Sequence, residues 1–144
     1  MKPIEVQEVL VLLEPNKFMR LASSDFEKFE KHIILKNVGI NGQKKIFNSK
    51  VLIIGVGGLG CPLLTYLAAS GVGKLGIVDH DKVELGNLNR QILFNTSDLG
   101  KYKVVQAKSK VIKIYKKIKI KTFKKKISTK NINSILKDYN IICD

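Results

Sequence analysis

Cysteine and histidine are scarce in this 144-residue chain, with two of each. Cys61 and Cys143 form no CxxC pair, and His32 and His80 lie far apart, so neither a disulfide framework nor a zinc site is indicated. A reducing, cytoplasmic setting is the expectation. Long apolar runs are missing too. The longest near the start, Val9 to Leu13, is closed in by Glu8 and Glu14 and is too short to span a bilayer or serve as a signal-peptide core, so no membrane partner is expected. There is no proline-rich linker and no repeat at a period of about 20 to 50 residues, which leaves a single domain. Acidic residues are also in short supply: 12 Asp plus Glu against 26 Lys plus Arg give a net charge of +14.

What is present is a globular composition, 44% hydrophobic and 26% charged. A chain of this length buries roughly two thirds of its unfolded surface, so global disorder is excluded. Half of the basic residues are concentrated between Lys101 and Lys130, where thirteen lysines stand with no acidic residue. Nucleic-acid modules bring arginines for base edges or aromatics for stacking, and Tyr115 and Phe123 are sparse company for so many lysines. Ile118-Lys-Ile-Lys-Thr-Phe123 instead alternates with period two, as in a half-buried strand whose lysines face water. A specific nucleic-acid partner is therefore not expected, although the charge would speed encounter with an acidic protein.

Ser24 with Glu27 has the form of a capping box, and Phe26, Phe29, Ile33 and Ile34 follow at helical spacing, so a helix is predicted from near Ser24. Gly39, Asn41 and Gly42 are read as interrupting it, with one short turn of helix over Gln43 to Phe47. Residues 1–49 thus form an N-terminal helical lead-in, and residues 50–144 the core. Val51 to Ile54 runs straight into Gly55-Val-Gly57-Gly58-Leu-Gly60, after which Leu63, Leu64, Leu67 and Ala68 take helical spacing. Leu75 to Val78 makes a second strand, completing a βαβ unit with parallel strands. A basic helix over 101–117 carrying Val104, Val105, Val111 and Ile112, a strand over 118–123, a short helix from Asn131 to Lys137 and a strand from Tyr139 to Cys143 follow. The fold class is α/β, a Rossmann-like, doubly wound, mainly parallel sheet, truncated by an end at the tip of that strand.

Gly55-x-Gly57-x-x-Gly60 satisfies the dinucleotide fingerprint. Its glycines permit a tight turn and close approach of backbone to phosphate at a helix N-terminus. Asp79 lies 24 residues beyond Gly55, at the end of the second strand, where it can accept hydrogen bonds from ribose hydroxyls. No Walker A sequence is present. The loop after Asp79 decides between dinucleotide and triphosphate: a guanidinium at Arg90 can grip phosphate oxygens with two donors, Asn87 can donate an amide hydrogen bond, and Lys103 adds a point charge after the turn at Gly100. Three such donors suit a polyphosphate. Cys61 at the helix start and Cys143 in the last strand read as small buried packing residues, and no metal ligand set is found.

With those stretches in view, the chain resembles the ubiquitin-activating enzyme superfamily in its ThiF/MoeB-like branches, from about residue 27 to 144. The matching residues are His32-Ile-Ile-Leu with Val38-Gly39 and Gly42-Gln43, Gly55 to Pro62, Ala68 to Gly73, Val78-Asp79-x-Asp81-x-Val-Glu84, Asn87-Leu88-Asn89-Arg90-Gln91-Ile-Leu93 and Gly100-Lys-x-Lys103. The resemblance implies a magnesium-dependent reaction in which the C-terminal glycine carboxylate of a ubiquitin-like or sulfur-carrier protein, of the molybdopterin or thiamine biosynthesis type, attacks the α-phosphorus of ATP. It implies that Gly55, Gly57, Gly58 and Gly60 lie under the nucleotide, that Asp79 holds the ribose, that Asn87, Arg90 and Lys103 contact the phosphates, and that Leu88, Asn89 and Gln91 complete the motif, Gln91 as a support. Arg90 and Lys103 would be the catalytic charges.

The chain also departs from that pattern. Lys31 stands where the family has an arginine reaching across a homodimer to the partner's ATP, and an ammonium lacks the bidentate fork. Gly86 replaces a serine and Tyr102 a proline. The family's magnesium-binding aspartate falls beyond the position of Asp144. Two other readings stay open from the sequence: a non-catalytic relic or dimerisation subunit with the same fold, and an NAD-binding domain.

Overall fold

Four strands, all parallel, carry the architecture, and the computed structural model describes residues 22–144. The Val9 to Leu13 run and the first part of the lead-in lie outside the described residues. In chain order the elements are α1 (Ser23–Ile33), α2 (Gly39–Asn48), β1 (Lys50–Ile54), α3 (Gly60–Ala69), β2 (Lys74–Val78), α4 (Lys103–Ile114), β3 (Lys119–Phe123), α5 (Ile132–Leu136) and β4 (Ile141–Cys143). Two 3-10 turns, Leu85–Asn87 and Thr96–Asp98, interrupt the long connection from β2 to α4. Among the described residues no helix is long and apolar enough to cross a membrane.

The strand order is β3-β2-β1-β4. The chain steps outward from β1 through β2 to β3 and then returns to add β4 on the other side of β1. The order therefore reverses at β1, and the crevice beyond the carboxyl ends of β1 and β4 is the switch point at which open parallel sheets bind ligands. β1 alternates between two cores because successive side chains point to opposite faces. Val51 and Ile53 join Leu64, Ala68, Val104, Ala107 and Val111 beneath α3 and α4. Leu52 faces the other way, with Val78 and Ile135 of α5. Burial on both faces explains why β1 reads as an unbroken apolar run, each large side chain contributing about 2 kcal/mol.

Several local expectations are corrected. The Ser24 capping box does not form: α1 begins one residue earlier after Ala22, which makes no side-chain cap, so Ser24 lies inside the first turn. The negative charge there comes from Asp25, which also pairs with Lys117 at 2.7 Å. Gly39 does not end helical structure but starts α2, its φ of 57° making the turn between the two helices. Tertiary contacts hold α2 despite its glycines. Gln43, fully buried, donates to the Ser70 carbonyl at 2.9 Å and lies 2.9 Å from His32 Nδ1. Phe29 of α1 meets Phe47 and Tyr115 edge-on in the same core as β1.

α4 is shorter than 101–117, because Tyr102 and Tyr115 at its two ends are both extended. Its buried stripe is Val104, Ala107 and Val111, while Val105 and Ile112 face out. The alternation in β3 is as expected, with Lys119 and Lys121 exposed and Ile120 and Thr122 half-buried. Cys61 is fully buried, and burial pushes its thiol pKa up, as befits a packing residue rather than a nucleophile. Cys143 is half-exposed instead of buried, since β4 is an edge strand.

Candidate nucleotide site

β1 delivers the chain into a turn that only glycine can make. Gly55 has φ of 91°, and a Cβ on Gly60 would lie 2.1 Å from the Gly55 carbonyl oxygen. The first glycine turns the backbone and the last lets α3 start directly against that turn. A cleft of about 330 Å³ opens above it, lined by Gly55, Gly57, Gly58, Leu63, Cys143 and Asp144 among others. It sits at the switch point between β1 and β4.

Asp79 closes the turn from the neighbouring strand. Its Oδ2 accepts the Val56 N–H at 2.7 Å and its Oδ1 accepts the Asp81 N–H at 2.7 Å. Asp79 as a whole is 8% exposed. Each oxygen has one further lone-pair direction, so the group can still accept a hydroxyl proton while fixing the turn.

The loop from residue 82 to 102 folds back over the same end of the sheet. Val83 exchanges backbone hydrogen bonds with Lys101 and Gly100, at 2.9 Å each, which closes the loop at its base. Asn87 Oδ1 accepts the Glu84 N–H at 3.4 Å, and among the described residues its amide nitrogen takes no partner. Leu88 packs against the core and Asn89 is exposed. Arg90 lies over the glycine turn, its Cγ 3.5 Å from where a Cβ of Gly58 would be. Its Nη1 donates to the Gly86 carbonyl and to Asn89 Oδ1, both at 3.0 Å. The guanidinium is thus aimed by its own loop and keeps further donors unspent.

Gln91 is buried beneath this loop, and its Oε1 has no hydrogen-bond partner among the described residues. Lys103, the first residue of α4, donates from Nζ to Asp81 Oδ2 at 3.1 Å, and its side chain is 7% exposed. The expected residues therefore fall into two linked groups, Arg90 over Gly58, and Lys103 joined through Asp81 to Asp79. Sequence reading gave Asp81 no role. Its signal was its spacing of two from Asp79, which lets it share that carboxylate.

Asp79, His80 and Asp81 place one ligand atom each within 4.8 Å of one another, but the trio does not fit magnesium. Each Asp79 oxygen takes a backbone N–H and has a single further direction, the one a ribose hydroxyl would use, while Asp81 Oδ2 pairs with Lys103 and its Oδ1 lies 3.3 Å from His80 Nε2. A small, octahedral cation needs free carboxylate oxygens. Lys31, where the trans arginine would stand, is exposed and among the described residues pairs with its neighbour Glu30 at 3.3 Å. A larger cavity of about 640 Å³ lies at the opposite end of the sheet, among Lys44, Lys50, Lys74, Lys117 and Lys119. It holds none of the fingerprint residues.

With the glycine turn, the acid after β2 and the folded-back loop in place, the comparison with known proteins is decisive. The sequence profile of the ThiF family matches residues 29–144. The chain belongs to the ThiF family. It is similar to a probable molybdopterin-synthase adenylyltransferase of Porphyra purpurea, 40% identical over 120 residues, covering 83% of this chain and 31% of that protein. It is also similar to the probable adenylyltransferase/sulfurtransferase MoeZ of Mycobacterium tuberculosis, 37% identical over 133 residues, covering 92% of this chain and 33% of the relative. Among solved structures, PaaA superposes with a TM-score of 0.79 at 32% identity, over 97% of this chain and 50% of that one. The chain spans about a third of the length of these curated ThiF-family relatives.

Proposed function

We propose that the cleft above the glycine turn binds ATP and that the whole protein uses it to adenylate the C-terminal glycine of a ubiquitin-like or sulfur-carrier protein. The observation that carries this reading is the gathering of Gly55–Gly60, Asp79, Arg90 and Lys103 at one end of the sheet, beside its switch point. The names of the relatives support it, since both are adenylyltransferases of probable function.

In the reaction a carboxylate oxygen of the carrier attacks the α-phosphorus. The bond to the β-phosphate bridging oxygen breaks and pyrophosphate leaves. A carboxylate is already deprotonated at neutral pH, so no general base is required. This chain's part is alignment and charge. The backbone of the turn lies along the phosphates at the start of α3, Asp79 accepts from the ribose, and Arg90 with Lys103 offsets the negative charge that grows on the departing phosphates. Asn87 adds an amide donor, Leu88 and Asn89 hold the loop, and Gln91 supports it from below.

Magnesium would accompany ATP on ligands outside the described trio, the whole protein would be a cytoplasmic homodimer, and the carrier would serve molybdopterin or thiamine biosynthesis. Calorimetry of ATP against this chain tests the binding step. ATP–pyrophosphate exchange by the complete reading frame with a carrier ending in Gly-Gly tests the chemistry. Exchange no greater than background with any such carrier, and unaltered in Arg90→Ala, would overturn the assignment.

A further inference from the structure

We propose that Asp81 is a positioning residue that holds the Lys103 ammonium as its counter-ion until nucleotide phosphate takes it over, and so lowers the affinity of the site for ATP. The inference rests on reading Lys103 as a phosphate contact.

Asp81 grips Lys103 at both ends. The Lys103 backbone N–H donates to the Asp81 carbonyl at 3.0 Å, and its Nζ donates to Asp81 Oδ2 at 3.1 Å. Asp81 in turn donates its own N–H to Asp79 Oδ1, so the pair hangs from the carboxylate that closes the glycine turn. The two partners differ in exposure, 7% for the Lys103 side chain against 51% for Asp81. A buried ammonium is costly without a partner, and among the described residues Asp81 is the acid within ion-pair distance. The other Asp81 oxygen lies 3.3 Å from His80 Nε2, which leaves the carboxylate a neighbour once Lys103 turns away.

An ammonium has three protons and Asp81 takes one, so a polyphosphate can share Lys103 or displace the carboxylate. Either way two terms oppose binding. The existing pair must be loosened, and a negative carboxylate remains close to negative phosphates. Exchanging Asp81 for Asn keeps an acceptor of the same shape and removes both terms. The price of the counter-ion is ground-state affinity, which does not by itself raise the rate of the chemical step.

Calorimetric titration of ATP into the wild-type chain, Asp81→Asn, Lys103→Met and the double variant tests this. Asp81→Asn should bind ATP about fivefold more tightly, and Lys103→Met about tenfold more weakly. In the Lys103→Met background the gain from Asp81→Asn should shrink to about twofold or less, because only through-space repulsion is left to relieve. Unchanged or weaker binding by a normally melting Asp81→Asn overturns the proposal, as does an equal gain in both backgrounds. A Lys103→Met chain that binds like wild type removes the underlying reading of Lys103, a separate failure. Should Asp81→Asn not fold, nitrogen-15 NMR of the wild-type lysine ammonium groups decides. The Lys103 signal should be seen without ATP and shift as ATP saturates, and a signal that stays put overturns the proposal.

Discussion

The two ends of the parallel sheet carry positive charge in different ways. At the carboxyl end two cations are aimed at the glycine turn: Arg90 is tied to Gly86 and Asn89, and Lys103 is buried against Asp81. At the amino end five lysines crowd one cavity. Lys50, Lys74 and Lys119 open three neighbouring strands in register, and Lys44 and Lys117 join them around the larger cavity. Asp138 lies 3.8 Å from Lys74, and Asp25 holds Lys117. Like charges placed side by side on adjacent strands repel, and flexible ammonium groups have no fixed geometry with which to select a ligand. Cavity size favours the amino end, whereas fixed geometry favours the carboxyl end. In the proposed reading, recognition follows geometry.

The largest test of this contrast is Gly60→Ala. Its Cβ would fall 2.1 Å from a backbone oxygen, which no side-chain adjustment relieves, so we expect a loss of about 3 kcal/mol or more in thermal unfolding together with loss of ATP binding. Asp98 comes next, because it ties the loop that carries Arg90 to Lys110 of α4. Burial acts to raise the Asp98 pKa, but the Lys110 hydrogen bond and the Asn95 N–H outweigh it and hold the carboxyl below its usual range. A depressed folded-state pKa contributes stability above the unfolded-state value and loses it as pH falls through the folded-state value. Wild type should therefore lose more stability than Asp98→Asn between about pH 5 and about pH 2, and the variant should cost about 2 kcal/mol at neutral pH, both measured by denaturant unfolding.

Arg90→Ala should weaken ATP about tenfold in calorimetry with little change in melting, since the side chain is exposed and among the described residues is anchored within its own loop. The smallest effect belongs to the other end. Lys119→Thr should leave ATP affinity within about twofold and raise stability by about 0.3 kcal/mol, by removing a like-charged neighbour of Lys74.

How much of this was legible depended on where the determining interactions lie. β1, the glycine turn, α3 and β2 could be read because a strand buried on both faces leaves an unbroken apolar run, and the turn leaves glycines at fixed offsets. α2 could not. Gly39 and Gly42 read as breakers, while the helix is held by Gln43 reaching Ser70, 27 residues away. The exposure of Val105 and Ile112 was hidden for a related reason. Helical spacing tells which residues share a face but not which of two adjacent apolar stripes meets the sheet. At the site, residue types gave Asp79, Arg90 and Lys103. Some of the bonds that aim them end on backbone atoms of Val56 and Gly86, which carry no mark in a sequence, and the carboxylate that holds Lys103 was marked only by its spacing from Asp79.

The most direct measurement is an amide NMR titration of this chain with ATP. The account predicts saturable shifts concentrated over residues 55–61, 79–81, 86–91 and Lys103, with Lys50, Lys74 and Lys119 unmoved. Shifts centred on those three lysines, or none at saturating ATP, would contradict it.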